Sequence, residues 1–217
     1  MNKPTESLDD HVKEHMPAIL KELENYCRQP SISAQELGIE ETAHLTAEML
    51  RRRGFKARIL PTNGFPVVYA EKEGASDRTL LFYNHYDVQP PEPLDLWTSP
   101  PFEPEIRDGK MYARGVDDDK GHFMARLAAI DSFLQIHGEL PCRVKFLVEG
   151  EEEIGSPNIG AFIQKHKDLL ATFLILGHTY CIPSRAVIQC GRTRFPPETL
   201  HSWEYLFQPG NPGACVR

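Results

Sequence analysis

Apolar and polar positions follow two periods along the first 190 residues, and this predicts helices interleaved with strands. Helical spacing of apolar residues predicts helices over 6–27, 36–53 and 121–137. Alternating or continuous apolar runs predict strands over 56–60, 66–70, 79–85, 142–148 and 173–176. Asp108-Gly109 predicts a hairpin within 105–113, and Ser156-Pro157 is typical of a helix start. The alternation predicts an α/β layered domain with a largely parallel sheet.

Composition narrows the class of protein. The 217 residues carry a net charge of −7, with 41% hydrophobic and 25% charged residues, as in ordinary globular domains. The acidic balance argues against nucleic acid or an anionic membrane surface as partner. No apolar run approaches the roughly 20 residues of a membrane span. Five cysteines, without a Cys-x-x-Cys pair, favour a reduced, cytoplasmic location.

Three groups of potential metal ligands follow predicted strands or open a predicted helix. They are His85-Tyr86-Asp87, Asp117-Asp118-Asp119 and the run from Glu149 to Glu153, which holds four glutamates. Because ligand sites in open α/β sheets form at the carboxyl ends of strands, we expect these groups to meet. Crowded glutamates repel one another, so their burial demands raised pKa values or a cation. Histidine together with carboxylates suits zinc or a related transition metal.

Each group also has an ordinary structural explanation. A lone His-x-Asp is more often a hydrogen-bonded pair, aspartates before a helix are usually caps, and a glutamate run is usually a solvated face. A calcium site is a weaker alternative, because calcium prefers oxygen ligands and His85 does not suit it. The appearance of all three groups after strands favours one shared site.

Four motifs in order carry a resemblance to a known family. They are HYDVQP (85–90), the aromatic and proline-rich stretch 97–115, DDDKG (117–121) and EGEEEIGS (149–156). The chain resembles the ArgE/DapE family of di-zinc metallopeptidases and aminoacylases, and most closely its cytosolic, carnosinase-like dipeptidase branch. The resemblance implies a three-layer, zinc exopeptidase-like domain that binds two zinc ions, or cobalt or manganese. It also implies cleavage of an amide bond in small peptides or N-acylamino acids.

The resemblance assigns roles to residues of this chain. His85 matches a ligand of one zinc ion, Asp118 the carboxylate that bridges both, and Glu153 a ligand of the other. Glu152 matches the general base, and Asp87 matches the carboxylate that orients the site. In the family, one further carboxylate ligand follows the next strand. His178 stands at that place here, and its role as a metal ligand stays open.

The resemblance also implies a domain organisation. Residues 1–190 match the N-terminal part of the catalytic domain, and 191–217 form a divergent Pro/Gly-rich tail. The lid or dimerisation domain of the family is lacking, so a homodimer of the kind that full-length relatives form is not expected. Two hypotheses remain: an active metallopeptidase, or a truncated or pseudo-enzyme form that binds metal or a partner without turnover.

Overall fold

A five-stranded sheet forms the centre of the computed structural model, which describes residues 7–172 and 174–177. In chain order the strands are β1 (Lys56–Leu60), β2 (Val67–Lys72), β3 (Thr79–His85), β4 (Glu105–Arg107), β5 (Lys110–Tyr112), β6 (Arg143–Glu149) and β7 (Leu174–Leu176). The helices are α1 (Leu8–Arg28), α2 (Ile39–Arg52), α3 (Lys120–His137), α4 (Ile159–Lys165) and α5 (Lys167–Leu170). Strands β4 and β5 form the predicted hairpin apart from the main sheet.

The strand order in the main sheet is β1-β2-β6-β3-β7. Strand β3 is parallel to both β6 and β7, whereas β2 is antiparallel to both β1 and β6. Four of these five strands therefore run in one direction, which confirms the expected largely parallel sheet. His85 pairs with Glu149 at the carboxyl ends of β3 and β6. Two of the predicted ligand groups thus follow adjacent strand ends.

Helices cover both faces of the sheet. On one face, buried side chains of α1, α2 and α3 share a core with Val68 of β2 and Phe146 of β6. On the other face, the Tyr69 hydroxyl donates to the Leu169 carbonyl of α5 (3.3 Å) and the Lys145 ammonium donates to the same oxygen (2.7 Å). The domain therefore has three layers, as expected. No helix within the described ranges is both long and apolar enough to cross a membrane.

The C-terminal end of α1 is tied to the start of α3 by a buried lysine. Lys120 is fully buried, and its ammonium donates to the carbonyls of Tyr26 (3.2 Å) and Gln29 (2.7 Å). It also lies 5.0 Å from the centre of the Tyr26 ring. Cations are favoured at helix C-termini, where carbonyls lack intrahelical partners. Burial lowers the pKa of Lys120 to about 8.

Two helices begin at residues other than those predicted from the sequence. The prediction that Ser156 opens a helix is wrong, because α4 begins at Ile159. The Ser156 hydroxyl instead donates to Glu149 (2.9 Å), in a residue with φ of 51°. Helix α2 begins at Ile39 rather than at residue 36, since Gly38 before it has a φ of 70°. These shifts leave the predicted order of elements intact.

Candidate metal centre

His85 lies at the carboxyl end of β3, fully buried, with its two ring nitrogens in different surroundings. Nδ1 donates to the Asp87 carbonyl (3.1 Å) and lies 3.3 Å from Asp87 Oδ1. Nε2 lies 2.9 Å from Asp118 Oδ1 and 3.9 Å from Glu152 Oε2. Burial opposes the charged ring, but Asp118 and Asp87 outweigh it and hold the pKa of His85 well above its usual range. The Nε2 side therefore faces the carboxylates of Asp118 and Glu152, and the Nδ1 side lies against Asp87.

Asp87 connects this histidine to the chain that follows β6. Its carboxylate is fully buried and accepts hydrogen bonds from two successive main-chain groups, the N–H of Glu152 (3.2 Å) and the N–H of Glu153 (3.0 Å). The same carboxylate lies beside His85 Nδ1. Because one rigid, buried group contacts both segments, Asp87 fixes the distance between the histidine and the two glutamates.

Glu152 and Glu153 complete the cluster. One ligand atom from each, together with one nitrogen of His85, lie within 4.8 Å of one another, which is close enough to hold a metal ion. The Glu153 carboxylate accepts from Gln89 Nε2 (2.7 Å). Burial raises the pKa of Glu153, and the negative charge of Asp118 adds to this. The structure therefore brings His85, Glu152 and Glu153 around one small volume, and Asp118 lies beside His85 Nε2.

The other two glutamates of the run, Glu149 and Glu151, accept hydrogen bonds from protein donors. Glu151 accepts from the Phe65 main-chain N–H (3.2 Å) and from Asn158 Nδ2 (2.9 and 3.0 Å). Glu149 accepts from the hydroxyls of Tyr83 and Ser156. The sequence predicts repulsion among four glutamates, and the structure relieves it for two of them. The need for a cation is thereby confined to Glu152 and Glu153 with their neighbour Asp118.

Sequence reasoning counted Asp119 among the potential ligands and missed its role as a buried support of the strand that carries His85. Asp119 is fully buried and accepts from Asn84 Nδ2 (2.6 Å), the His85 main-chain N–H (3.0 Å) and His122 Nδ1 (2.9 Å). The Asn84 side-chain oxygen in turn accepts from Arg126 of α3. The available signal was Asn84 itself, a polar residue within the otherwise apolar run 79–84. Of these two adjacent aspartates, Asp118 therefore faces the cluster, whereas Asp119 holds the carboxyl end of β3.

The donor set fits a divalent metal ion. An imidazole whose Nδ1 donates to a carbonyl presents Nε2 as the ligand atom, and this is the usual second contact of metal-binding histidines. One imidazole nitrogen with carboxylate oxygens suits zinc and other transition metals better than calcium. The predicted ligand His178 lies outside the described residues.

Burial of Glu149 makes a pH-dependent contribution to stability. Its Oε2 is buried without a hydrogen-bond partner among the described residues, and burial raises the pKa of Glu149 from 4.5 to about 7 although Tyr83 and Ser156 donate to it. Between these two pH values the folded chain holds a proton that the unfolded chain releases. The contribution of Glu149 to the free energy of unfolding is therefore largest below pH 4.5 and falls as pH rises to about 7.

Glu149→Gln removes this titration. We expect the loss of stability between pH 5 and pH 8, measured by urea unfolding of metal-free protein, to shrink by about 3 kcal/mol. Glu14→Gln, the same change on the exposed face of α1, serves as control and should leave the loss unchanged. An unaltered loss in Glu149→Gln would contradict the assignment.

The cluster lies at the carboxyl edge of a largely parallel sheet, and sites at this edge are typical of α/β enzymes. Together with the ligand cluster, this position defines an α/β domain with a candidate metal centre. The chain belongs to peptidase family M20/M25/M40, whose model matches residues 81–204. Membership of this family agrees with the resemblance that the sequence motifs carry.

Characterised relatives share part of the chain. A Beta-Ala-His dipeptidase of Homo sapiens is 38% identical over 104 residues, which are 48% of this chain and 20% of that protein. A succinyl-diaminopimelate desuccinylase of Dechloromonas aromatica (strain RCB) is 35% identical over 130 residues, which are 60% of this chain and 33% of that protein. The matched part is thus a third or less of the length of these relatives.

A solved structure with the same fold is an M20 family metallo-carboxypeptidase, Sso-CP2 from Sulfolobus solfataricus. It is 44% identical with a TM-score of 0.70, and the match covers 73% of this chain and 36% of that one. The similarity supports the fold class independently of the motifs.

Proposed function

We propose that the chain takes part in metal-dependent hydrolysis of an amide bond in dipeptides or N-acylamino acids, through a metal-activated water. The convergence of His85, Asp118, Glu152 and Glu153 above Asp87 is the observation that carries the proposal. The names of the relatives, a dipeptidase and a desuccinylase, support the two substrate classes. We further propose zinc as the metal, with cobalt or manganese as alternatives.

In this proposal His85 Nε2, Asp118, Glu153 and His178 would hold two divalent ions. When bound, such a pair of ions polarises the scissile carbonyl and lowers the pKa of a coordinated water toward 7. Asp87 keeps His85 oriented through its Nδ1 side, so that Nε2 points at the cluster.

Glu152 moves the proton. Its carboxylate lies beside His85 Nε2 at 3.9 Å, near enough to the cluster to reach a water held there. One Glu152 oxygen takes a proton from this water as the water oxygen attacks the carbonyl carbon. The same oxygen then gives the proton to the departing nitrogen when the C–N bond breaks. Asp87 fixes the main chain on which this transfer depends, through the N–H groups of Glu152 and Glu153.

The location of the protein is proposed as cytoplasmic. Among the described residues, Cys27 is free and buried and Cys142 is free and partly exposed, which suits a reducing compartment.

Metal binding tests the proposal directly. Wild-type protein is expected to bind more than one equivalent of zinc by elemental analysis after dialysis, and Glu153→Ala is expected to lose at least one of them. The reason is that Glu153 supplies a ligand atom that its neighbours cannot replace. Glu103→Ala, at an exposed loop position, is the matched control and should bind as the wild type does. Less than one equivalent in wild type, unchanged in Glu153→Ala, would overturn the metal assignment.

Turnover is measured on the same samples with a panel of dipeptides and N-acylamino acids. Release of free amino acid that depends on added zinc, cobalt or manganese supports the proposed hydrolysis. Stoichiometric metal binding without any turnover contradicts it, and would favour the second hypothesis from the sequence, a form that binds metal without turning substrate over.

A further inference from the structure

Glu151 is a buried, hydrogen-bonded carboxylate next to the cluster, although the sequence assigns it no role. Its side chain is 5% exposed and accepts three hydrogen bonds, one from the Phe65 main-chain N–H and two from Asn158 Nδ2. Hydrogen bonds to an ionised acceptor are roughly twice as strong as neutral ones. Glu151 therefore joins the segment after β6 to a loop between β1 and β2, 86 residues earlier in the chain.

This loop, residues 62–66, is itself rigid. The Thr62 hydroxyl donates to the Phe65 carbonyl (2.7 Å) and accepts from the Gly64 N–H (2.9 Å). The Tyr86 hydroxyl donates to the Pro66 carbonyl (2.7 Å). Glu151 thus binds to a preformed support rather than to a segment that could follow its movement.

Gly64 makes the close approach between loop and carboxylate feasible. An alanine Cβ at this position would lie 1.9 Å from Glu151 Oε1 and 2.6 Å from Asn158 Nδ2. Contacts under 3.0 Å are essentially never seen for real Cβ atoms, so any side chain here forces the Glu151 carboxylate out of its place. The close contact therefore depends on a glycine in the loop opposite the buried carboxylate that follows β6.

The turn that bears the cluster is consequently held at two places. Asp87 holds the N–H groups of Glu152 and Glu153, and Glu151, directly before them, is fixed to the loop. We infer that Glu151 is a positioning residue, which locks the Glu152–Glu153 main chain in the orientation that aims both carboxylates at His85, and that Gly64 is required for this lock. The inference rests on the proposed function for its catalytic meaning, although the lock itself is a property of the fold. Displacements of about 1 Å in such groups are enough to impair a site.

Amide hydrogen exchange tests the lock without any metal or substrate. In metal-free protein, exchange of the Glu152 and Glu153 amides, measured by NMR, is expected to become about tenfold faster in Gly64→Ala, because their main chain loses one of its two anchors. Gly160→Ala is the matched control. This glycine lies in α4 with nothing within 4 Å of the added Cβ, so exchange at both amides should stay at the wild-type rate.

A second pair of variants separates positioning from general destabilisation. Glu151→Ala removes the lock and should reproduce the faster exchange. Glu151→Gln should restore nearly wild-type rates, because its oxygen still accepts from the Phe65 N–H and its amide can donate to the Asn158 oxygen once that side chain turns over. Zinc affinity is expected to fall about fivefold to tenfold in Gly64→Ala and Glu151→Ala and to recover in Glu151→Gln.

The outcomes distinguish this inference from the proposed function. Wild-type rates at the Glu152 and Glu153 amides in both Gly64→Ala and Glu151→Ala would overturn the lock, whatever the metal content. Equal acceleration of amides throughout the sheet would also overturn it, since that pattern marks global unfolding. If the two amides exchange faster only locally in the variants, but the wild-type protein binds no zinc, the lock stands and the proposed metal function fails.

Discussion

Glu152→Gln is expected to lower kcat for amide hydrolysis by about 10²- to 10⁴-fold, with zinc affinity changed by less than about threefold. Glutamine has nearly the shape of glutamate but cannot take a proton at its carboxamide oxygen near neutral pH. The Glu152 N–H still reaches Asp87 Oδ1, so the turn stays in place. Steady-state kinetics at saturating zinc, together with competition titration of zinc against a chelating dye, measure the two effects separately.

Glu153→Gln is the informative counterpart, because Glu152 and Glu153 are neighbours in one cluster and the sequence alone assigns their roles by resemblance. We expect this variant to lose zinc affinity first and to recover part of its turnover at high zinc concentration. The opposite result, with weak zinc binding in Glu152→Gln and intact binding in Glu153→Gln, would exchange the two assignments.

Asp87→Ala is expected to weaken zinc binding about 10- to 100-fold, which is the usual cost of removing a group that orients a ligating histidine. The change leaves the N–H groups of Glu152 and Glu153 without their acceptor and removes the charged partner of His85 Nδ1. Both losses disturb the cluster, because the Asp87 carboxylate contacts His85 on one side and the main chain of Glu152 and Glu153 on the other. The measurement is the same zinc titration, with unfolding by urea as a check on the fold.

Asp117→Ala provides the control for Asp87→Ala. Asp117 is an exposed acid of the DDDKG motif, so its removal changes the net charge equally without touching the cluster. Zinc affinity should change by less than about threefold in this variant, in keeping with a screened surface charge. Equal losses in Asp87→Ala and Asp117→Ala would show that total charge, rather than orientation of His85, governs binding.

Local patterns predicted several elements with their observed bounds. The strands over 56–60 and 79–85 were correct because each apolar run is closed by turn-forming or polar residues. The insertion of β2 between β1 and β6 could not be predicted in this way. It depends on pairs such as Val68 with Val148, whose separation along the chain leaves no trace in either segment's own pattern.

The candidate site, like the fold, could be predicted from the sequence only in part. That His85 and the glutamate run meet follows from their position after strands, because the carboxyl ends of parallel neighbours share an edge. Which glutamates face the cluster does not follow from the sequence, since Glu149 and Glu151 are withdrawn by Tyr83, Asn158 and a main-chain N–H of a distant loop. The roles of the ligands and of the general base stay predictions.

The buried Lys120 sets a lower limit on the smallest piece of this protein that is able to fold. All five site residues that the structure describes lie between positions 85 and 153, and the matched family segment begins at 81. A shorter expression product that starts at β1 would retain every one of them. It would nevertheless remove both carbonyl acceptors of the Lys120 ammonium, which belong to residues 26 and 29. A fragment that keeps these contacts therefore begins no later than α1, upstream of all five of these residues.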